Sequence, residues 1–173
     1  QSQLQRSKTD KLAAKLIATF GQLHLDRLRA WQPEPLPLRQ LRALTRRLED
    51  LQSLRQMELN RLEVSPDNVQ DSIRAVLQRL DEQIAWTLEQ IKRHIDDDPD
   101  LRGKRDLLVS IDGIADKTAA LILAELGDIG RFTHARAVTA FAGLDPRLQE
   151  SGTFHGRTCI SRTGSARLRT ALY

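Results

Sequence analysis

The chain has 173 residues, of which 40% are apolar, 4% aromatic and 29% charged, with a net charge of +4. That apolar share suits one compact domain or two small units, whereas so few aromatics exclude base stacking as the main way of holding nucleic acid. The charge is uneven: from Arg131 onward there are seven arginines, no lysine and two acids, Asp145 and Glu150, a net of +5 against −1 for everything before.

Residues 1–30 carry an apolar stripe at Leu12, Leu16, Ile17 and Phe20 behind a Ser/Thr/Asp start that suits a helix cap. The piece is too small to bury that face alone. It packs on the next segment of the chain, or it is the tail of a domain absent from the sequence. "WQPEPLPL" then sets three prolines within eight residues, a pattern no helix interior tolerates, and reads as a linker.

From Leu38 the pattern becomes Leu41, Leu44, Leu48 and Leu51, at spacings of 3, 4 and 3, the rhythm of a coiled-coil seam. "EVSPDNV" interrupts with a turn, and Ile73, Leu77, Leu80, Ile84, Leu88, Ile91 and Ile95 resume a similar stripe. Two long amphipathic helices around a proline turn most simply form an antiparallel hairpin; the seam is equally open to a second chain. "IDDDPDLRG" breaks the second helix at Pro99 and Gly103. Its acids Asp96, Asp97, Asp98 and Asp100 lack the spacing of a calcium loop and read as a solvated turn.

In "LLVSIDGIADKTAALILAEL" an apolar stretch meets a turn at Asp112-Gly113, and a helix follows from Asp116. The arrangement resembles a helix-hairpin-helix element, whose turn amides and helix N-terminus receive a phosphate oxygen. Gly113, Lys117 and Thr118 are therefore candidate nucleic-acid contacts. Ala115 stands where the element usually has a second glycine, and a simple helix-turn-helix packing unit accounts for the same residues.

"RFTHARAVTAFAGL" adds a short helix with Ala137, Val138, Phe141 and Leu144 inward, ending at Gly143. The glycine-rich stretch to Gly164 reads as loop or short strand. "SARLRTALY" begins a last helix that runs out at Tyr173 after barely two turns, as expected of a chain cut within an element. An all-arginine block suits bidentate phosphate recognition, whereas a solvated surface more often mixes lysine and acids. Cys159 is the single cysteine, which excludes an intramolecular disulfide and fits a reducing interior. His24, His94, His134 and His155 are scattered, which argues against zinc. No apolar run reaches the length of a membrane span and no signal peptide is visible, so the chain reads as soluble and cytoplasmic.

Taken together, "SIDGIADKTAALILAELGD", "RFTHARAVTAFAGLDPRLQESG" and "SRTGSARLRTALY" resemble the C-terminal transposase domain of bacterial insertion sequences of the one-ten type, whose recombinases are guided by a bridge RNA. The hairpin with its "DDDPDL" end resembles that family as well. "SKTDKLAAKLIA" resembles the last block of the family's RuvC-like DEDD domain. The resemblance covers nearly the whole chain and implies a mainly α fold. A remnant helix of an α/β RuvC-like domain occupies 1–30, a linker and antiparallel coiled-coil hairpin 31–103, and a small helix-hairpin-helix-like transposase domain 104–173.

The resemblance also implies the chemistry. The serine after the family's "GL-P" motif, here Ser151 behind Gly143, Leu144 and Pro146, attacks a DNA phosphodiester and holds the strand as a phosphoserine. Arg147, Arg157 and Arg162 are the nearest donors for the phosphorane charge, Gly152 lets backbone approach DNA, and Arg167 is a further candidate nucleic-acid contact. Ser161 and Ser165 are fallback choices, better suited to capping or phosphate contact. Without the resemblance, Ser151 reads as a turn serine bonding its own backbone, because no His or acid sits at a diagnostic spacing from it.

Asp10 falls on the first aspartate of the family's acidic "TD--DA" pattern, whose carboxylates hold Mg2+, but Ala13 stands where the second is expected. The implied partners are donor and target DNA, a structured guide RNA, and further copies of the chain in a dimer or tetramer through the coiled coil. The implied setting is the bacterial cytoplasm, at the nucleoid during activity. A non-catalytic DNA- or RNA-binding module, or a coiled-coil scaffold, are the competing classes; the arginine bias argues against the scaffold.

Overall fold

Seven α-helices carry most of the regular structure among the described residues, with four two-residue strands between the last two, so the expectation of a mainly α fold holds. The computed structural model describes residues 9–26, 28, 32–147, 150–151 and 154–172, and only the backbone of 150, 151, 154 and 155. The chain divides into two compact units, 1–33 and 34–173.

In the first unit, helix α1 spans Asp10–Leu23. Thr9 caps it, its Oγ1 accepting from the Leu12 amide at 3.3 Å, as the Ser/Thr/Asp start suggests. Of the expected stripe Leu12 is half-buried while Leu16, Ile17 and Phe20 are exposed, and α1 buries none of its residues.

The second unit is organised by two long helices, α2 (Leu36–Val64) and α3 (Asp67–Asp97). Proline starts α2 rather than preventing it: Pro35 is the N-cap and Pro37 lies in the first turn, where a missing amide costs nothing. The helices run antiparallel. A His94 ring nitrogen meets the Pro37 carbonyl at 2.8 Å near one end, and Arg55 pairs with Asp81 at 2.5 Å further along.

Burial on α2 falls on Leu38, Leu41, Thr45, Leu48 and Leu51, so Thr45 occupies the core line and Leu44 sits at its edge. The departure from the expected leucine seam has a physical cause. A third helix, α5 (Asp116–Leu126), packs on the same end of the hairpin, and its Ala120, Leu123 and Ala124 share a core with Leu38, Leu41, Leu48, Ile91 and Ile95. Its alanines, almost wholly buried, remove the bulk that would hold two helices apart. The far half of the hairpin has no such cover: Leu54, Met57, Val64, Val69 and Val76 are exposed. Its ion pairs, Arg61–Glu58, Arg74–Asp71 and Arg79–Glu82, are solvent-facing and stabilise by less than about 1 kcal/mol each.

Helix α4 (Pro99–Val109) begins at the expected break, but Gly103 lies inside it, in open space, and breaks nothing. The aspartate run is distributed among local tasks. Asp98 is the N-cap, accepting from the amides of Asp100 and Leu101 at 2.9 and 3.0 Å; Asp100 pairs with Lys104, and Asp96 with Arg105 at 2.6 Å. The hydrogen bonds that Arg105 donates to Asp96 and Asp106 hold the pKa of its guanidinium above the ordinary value. Removing the cap by Asp98→Ala should lower stability by about 1 kcal/mol, read as a shift in the denaturant midpoint at unchanged slope; no shift would show that the two amides find water equally well.

A second cluster joins Ile122, Ala142 and Leu168, with Leu108, Ile114, Phe141 and Leu144 around it. It holds α6 (Ala135–Ala142) and α7 (Ala166–Ala171) to α5. No helix among the described residues is long and apolar enough to cross a membrane.

Candidate nucleic-acid interface

The segment from 143 to 165 is built on the end of α6. Gly143 adopts φ +67, the left-handed conformation that terminates a helix. The chain then goes out and returns as a narrow ribbon. Strand β1 (Pro146–Arg147) pairs antiparallel with β4 (Cys159–Ile160), and nested within them β2 (Glu150–Ser151) pairs with β3 (Phe154–His155). Ser151 faces Phe154 in register, with two residues between them. Its backbone is thus the last paired position of β2. The Ser151 side chain and Gly152 lie outside the described residues.

The return leg is fixed to α6 and its exit. Ser161, Arg162 and Ser165 donate backbone amides to the carbonyls of Asp145, Gly143 and Phe141 at 2.8, 3.1 and 2.8 Å. The Ser161 hydroxyl donates to Asp145 at 2.6 Å and that of Ser165 to Glu125 at 2.7 Å, while Ser165 Oγ also caps α7 by accepting from Leu168 N. Ser165 is thus a capping residue, one of the two roles expected of it. Arg162 has φ +56, the positive φ among described non-glycine residues, a conformation costing roughly 1–2 kcal/mol for a side chain with Cβ.

The seven C-terminal arginines separate into two groups. Arg131 stacks over Phe132 and Phe141, 4.7 Å from each ring centre. Arg169 donates to the Ala142 carbonyl at 2.9 Å, and Arg167 pairs with Glu49 of α2 at 2.6 Å. That hydrogen bond to Glu49 holds the Arg167 guanidinium above its ordinary value. Arg136, Arg147, Arg157 and Arg162 are exposed, and none makes a hydrogen bond or ion pair through its side chain with a described residue. Three of those four belong to the ribbon segment or its exit.

The remaining candidates gather elsewhere. Gly113 supplies φ +92 in the turn between α4 and α5, where the Ile114 amide reaches the Ile111 carbonyl at 3.0 Å. Ala115, the N-cap of α5, offers no side-chain cap. Lys117 bonds Gln52 at 3.2 Å, and with Thr118, Glu49 and Arg167 it lines a crevice of about 760 Å3 among α2, α5 and α7. Arg167 therefore keeps company with Lys117 and Thr118, through long-range partners that no local sequence pattern announces.

Asp10 is the exposed first residue of α1 and Ala13, also exposed, follows one turn on. Among the described residues no group of three or more His, Cys, Asp or Glu converges. Mg2+ needs carboxylates clustered with substrate oxygens and water, and one exposed aspartate beside an alanine does not fit it.

Comparison with known proteins accords with this layout. Residues 105–173 match the family described as "Transposase IS116/IS110/IS902 family", and residues 1–65 match a DEDD-type transposase domain of the IS110 group, a class associated with divalent metal. The chain is 31% identical over 169 residues to the pilin gene-inverting protein of Moraxella bovis, covering 97% of this chain and 52% of that protein. The values for the Moraxella lacunata protein of the same name are also 31%, 97% and 52%. It is 41% identical over 63 residues to the transposase for insertion sequence element IS1111A of Coxiella burnetii, covering 36% of this chain and 17% of that protein. The chain spans about half the length of the Moraxella relatives. It belongs to the IS110/IS116/IS902 family of insertion-sequence transposases.

Proposed function

We propose that the whole protein cuts and rejoins DNA under the guidance of a bridge RNA, with Ser151 as the nucleophile. The serine oxygen bonds to phosphorus while one ester bond to the strand breaks, releasing a strand hydroxyl and leaving a phosphoserine. Attack by a hydroxyl of another strand reverses the step and reseals the backbone. One ester replaces another each time, so the exchange needs no external energy source. The hydroxyl is a weak nucleophile, and its reaction requires fixed positive charge around the five-coordinate phosphorus.

The observation that carries this reading is the set of exposed arginines without a side-chain partner among the described residues, Arg147, Arg157 and Arg162, on the segment that bears Ser151. On the hairpin most arginines, Arg55 and Arg93 among them, are ion-paired, while Arg39, Arg46 and Arg47 of α2 are exposed without a described side-chain partner. The relatives' names fit as well: inverting a gene and moving an insertion sequence both require breaking and resealing phosphodiester bonds. The exposed apolar side chains on the far half of the hairpin support pairing with a second copy through a coiled coil, as a dimer or tetramer. Gly113, Lys117 and Thr118 would contact phosphate from the start of α5, and Gly152 would let the backbone approach DNA. Mg2+ is expected for the whole protein, with Asp10 as one ligand, although the residues described in this chain do not assemble that site. The setting is the bacterial cytoplasm, at the nucleoid when the protein is engaged on DNA.

The test is a denaturing gel of a chain extended to the length of its relatives, with guide RNA, donor and target DNA, with and without Ser151→Ala. A DNA-shifted protein band that survives boiling and vanishes with alanine is expected. Strand exchange without any adduct would remove Ser151 from the chemistry. DNA binding with no exchange at all under any of these conditions would favour a non-catalytic binding module.

A further inference from the structure

An ionised carboxylate among arginines ordinarily pairs with one of them. Asp145 does not. It is half-buried at the base of the ribbon, and its described side-chain contact is the Ser161 hydroxyl, at 2.6 Å, a length typical of a hydroxyl donating to a carboxylate. The two residues are joined a second time through the backbone, the Ser161 amide reaching the Asp145 carbonyl at 2.8 Å. The next residue is Arg162, whose own amide is held by the Gly143 carbonyl at 3.1 Å. The Thr163 amide approaches Ser161 Oγ at 3.4 Å, so this one hydroxyl touches the chain on both sides of Arg162.

The backbone at Arg162 is left-handed, φ +56, where glycine would sit without strain. An arginine at such a position, exposed and without a side-chain partner among the described residues, points to a role for the guanidinium itself. We infer that Asp145 is a positioning residue: through Ser161 it fixes the left-handed backbone at Arg162 and so aims that guanidinium at a backbone phosphate. A long side chain on a fixed backbone loses less freedom on binding than one on a loose loop. By engaging a hydroxyl instead of an arginine, Asp145 also leaves the guanidinium groups of the segment free of a pairing with it. The inference rests on the reading of Arg162 as a phosphate contact.

The two ideas separate in the salt dependence of binding to a duplex of mixed sequence by the 173-residue chain. Each lost phosphate contact lowers the magnitude of the slope of log K against log salt by about 1. Arg162→Ala and Asp145→Ala should each produce that loss, and the double substitution no more than either alone. Asp145→Asn, which keeps an acceptor oxygen, should retain the original slope. Arg157→Ala should subtract its own contact equally in either background. If Asp145→Ala proves poorly folded by circular dichroism, Ser161→Ala carries the test, because it removes one hydroxyl and keeps the backbone bond to Asp145. A slope that falls in Arg162→Ala but in neither Asp145→Ala nor Ser161→Ala overturns the positioning role and spares the phosphate contact. Additive losses in the double variant overturn it too. A slope unchanged by Arg162→Ala overturns both.

Discussion

Replacing Ser151 with alanine should slow strand exchange by the whole protein by about a thousandfold or more, with water as the residual nucleophile. The same change should move duplex affinity by less than about twofold, because the salt-dependent part of binding comes from cations and a hydroxyl carries no charge. The fold should be indifferent as well. The ribbon position at Ser151 is defined by backbone pairing with Phe154, which an alanine can also make. Single-turnover exchange and equilibrium binding, measured on the same preparations, separate these expectations. Binding and rate falling together would mean that the hydroxyl serves the ribbon or the DNA contact, whereas an unchanged rate would reassign the nucleophile.

The parts of the molecule legible in the sequence are those governed by local chemistry. Thr9 ahead of an apolar period, Pro99 after an aspartate and Gly143 behind "AVTAFA" each fix a helix end through one or two backbone groups, and each end lies where the sequence suggests. The alternation of leucines and isoleucines around "EVSPDNV" likewise specifies two long antiparallel helices. What escaped is what a third element decides. Thr45 takes a core position beside Leu44 because α5 crosses the hairpin there, and its hydroxyl is satisfied by the Arg42 carbonyl at 3.1 Å, so burial costs little. Gly103 survives inside α4 because a single glycine weakens a helix without ending it.

The candidate interface divides in the same way. Composition alone marks the last quarter of the chain as an arginine field, but it does not say which arginines are available. Arg167 and Glu49 lie 118 residues apart, and Arg131 is engaged by two phenylalanines, only one of them its neighbour. The set of arginines free of described side-chain partners is therefore narrower than the composition implies, and three of its four members lie on the segment that carries Ser151 or at its exit. The Asp145–Ser161 contact was equally hidden, since its members stand 16 positions apart at the two sides of the ribbon. Only the pairing of β1 with β4 brings its two members together.

The stability of that ribbon base hangs on Gly164, and Gly164→Ala should destabilise the second unit by about 2–4 kcal/mol. Its φ of +144 lies where L side chains are strained, and an added Cβ would overlap the Phe141 carbonyl oxygen and stand 2.9 Å from its carbon and 3.0 Å from the Gly143 nitrogen. All three are backbone atoms, so no rotamer change relieves the contact. The obstructed oxygen is the one that accepts the Ser165 amide at 2.8 Å. Relief therefore means pulling the loop away from α6, and with it the anchor on one side of Arg162. Gly103→Ala supplies the contrast: its Cβ meets nothing within 4 Å inside α4, and a helix-interior alanine should stabilise by about 0.5–1 kcal/mol. Denaturant midpoints moving in opposite directions for the two alanines would establish that the backbone approach at Gly164, rather than chain stiffness, sets the cost. A Gly164→Ala midpoint within error of the parent would mean that the loop moves off α6 freely, and Arg162 would then lack the fixed backbone from which to meet a phosphate.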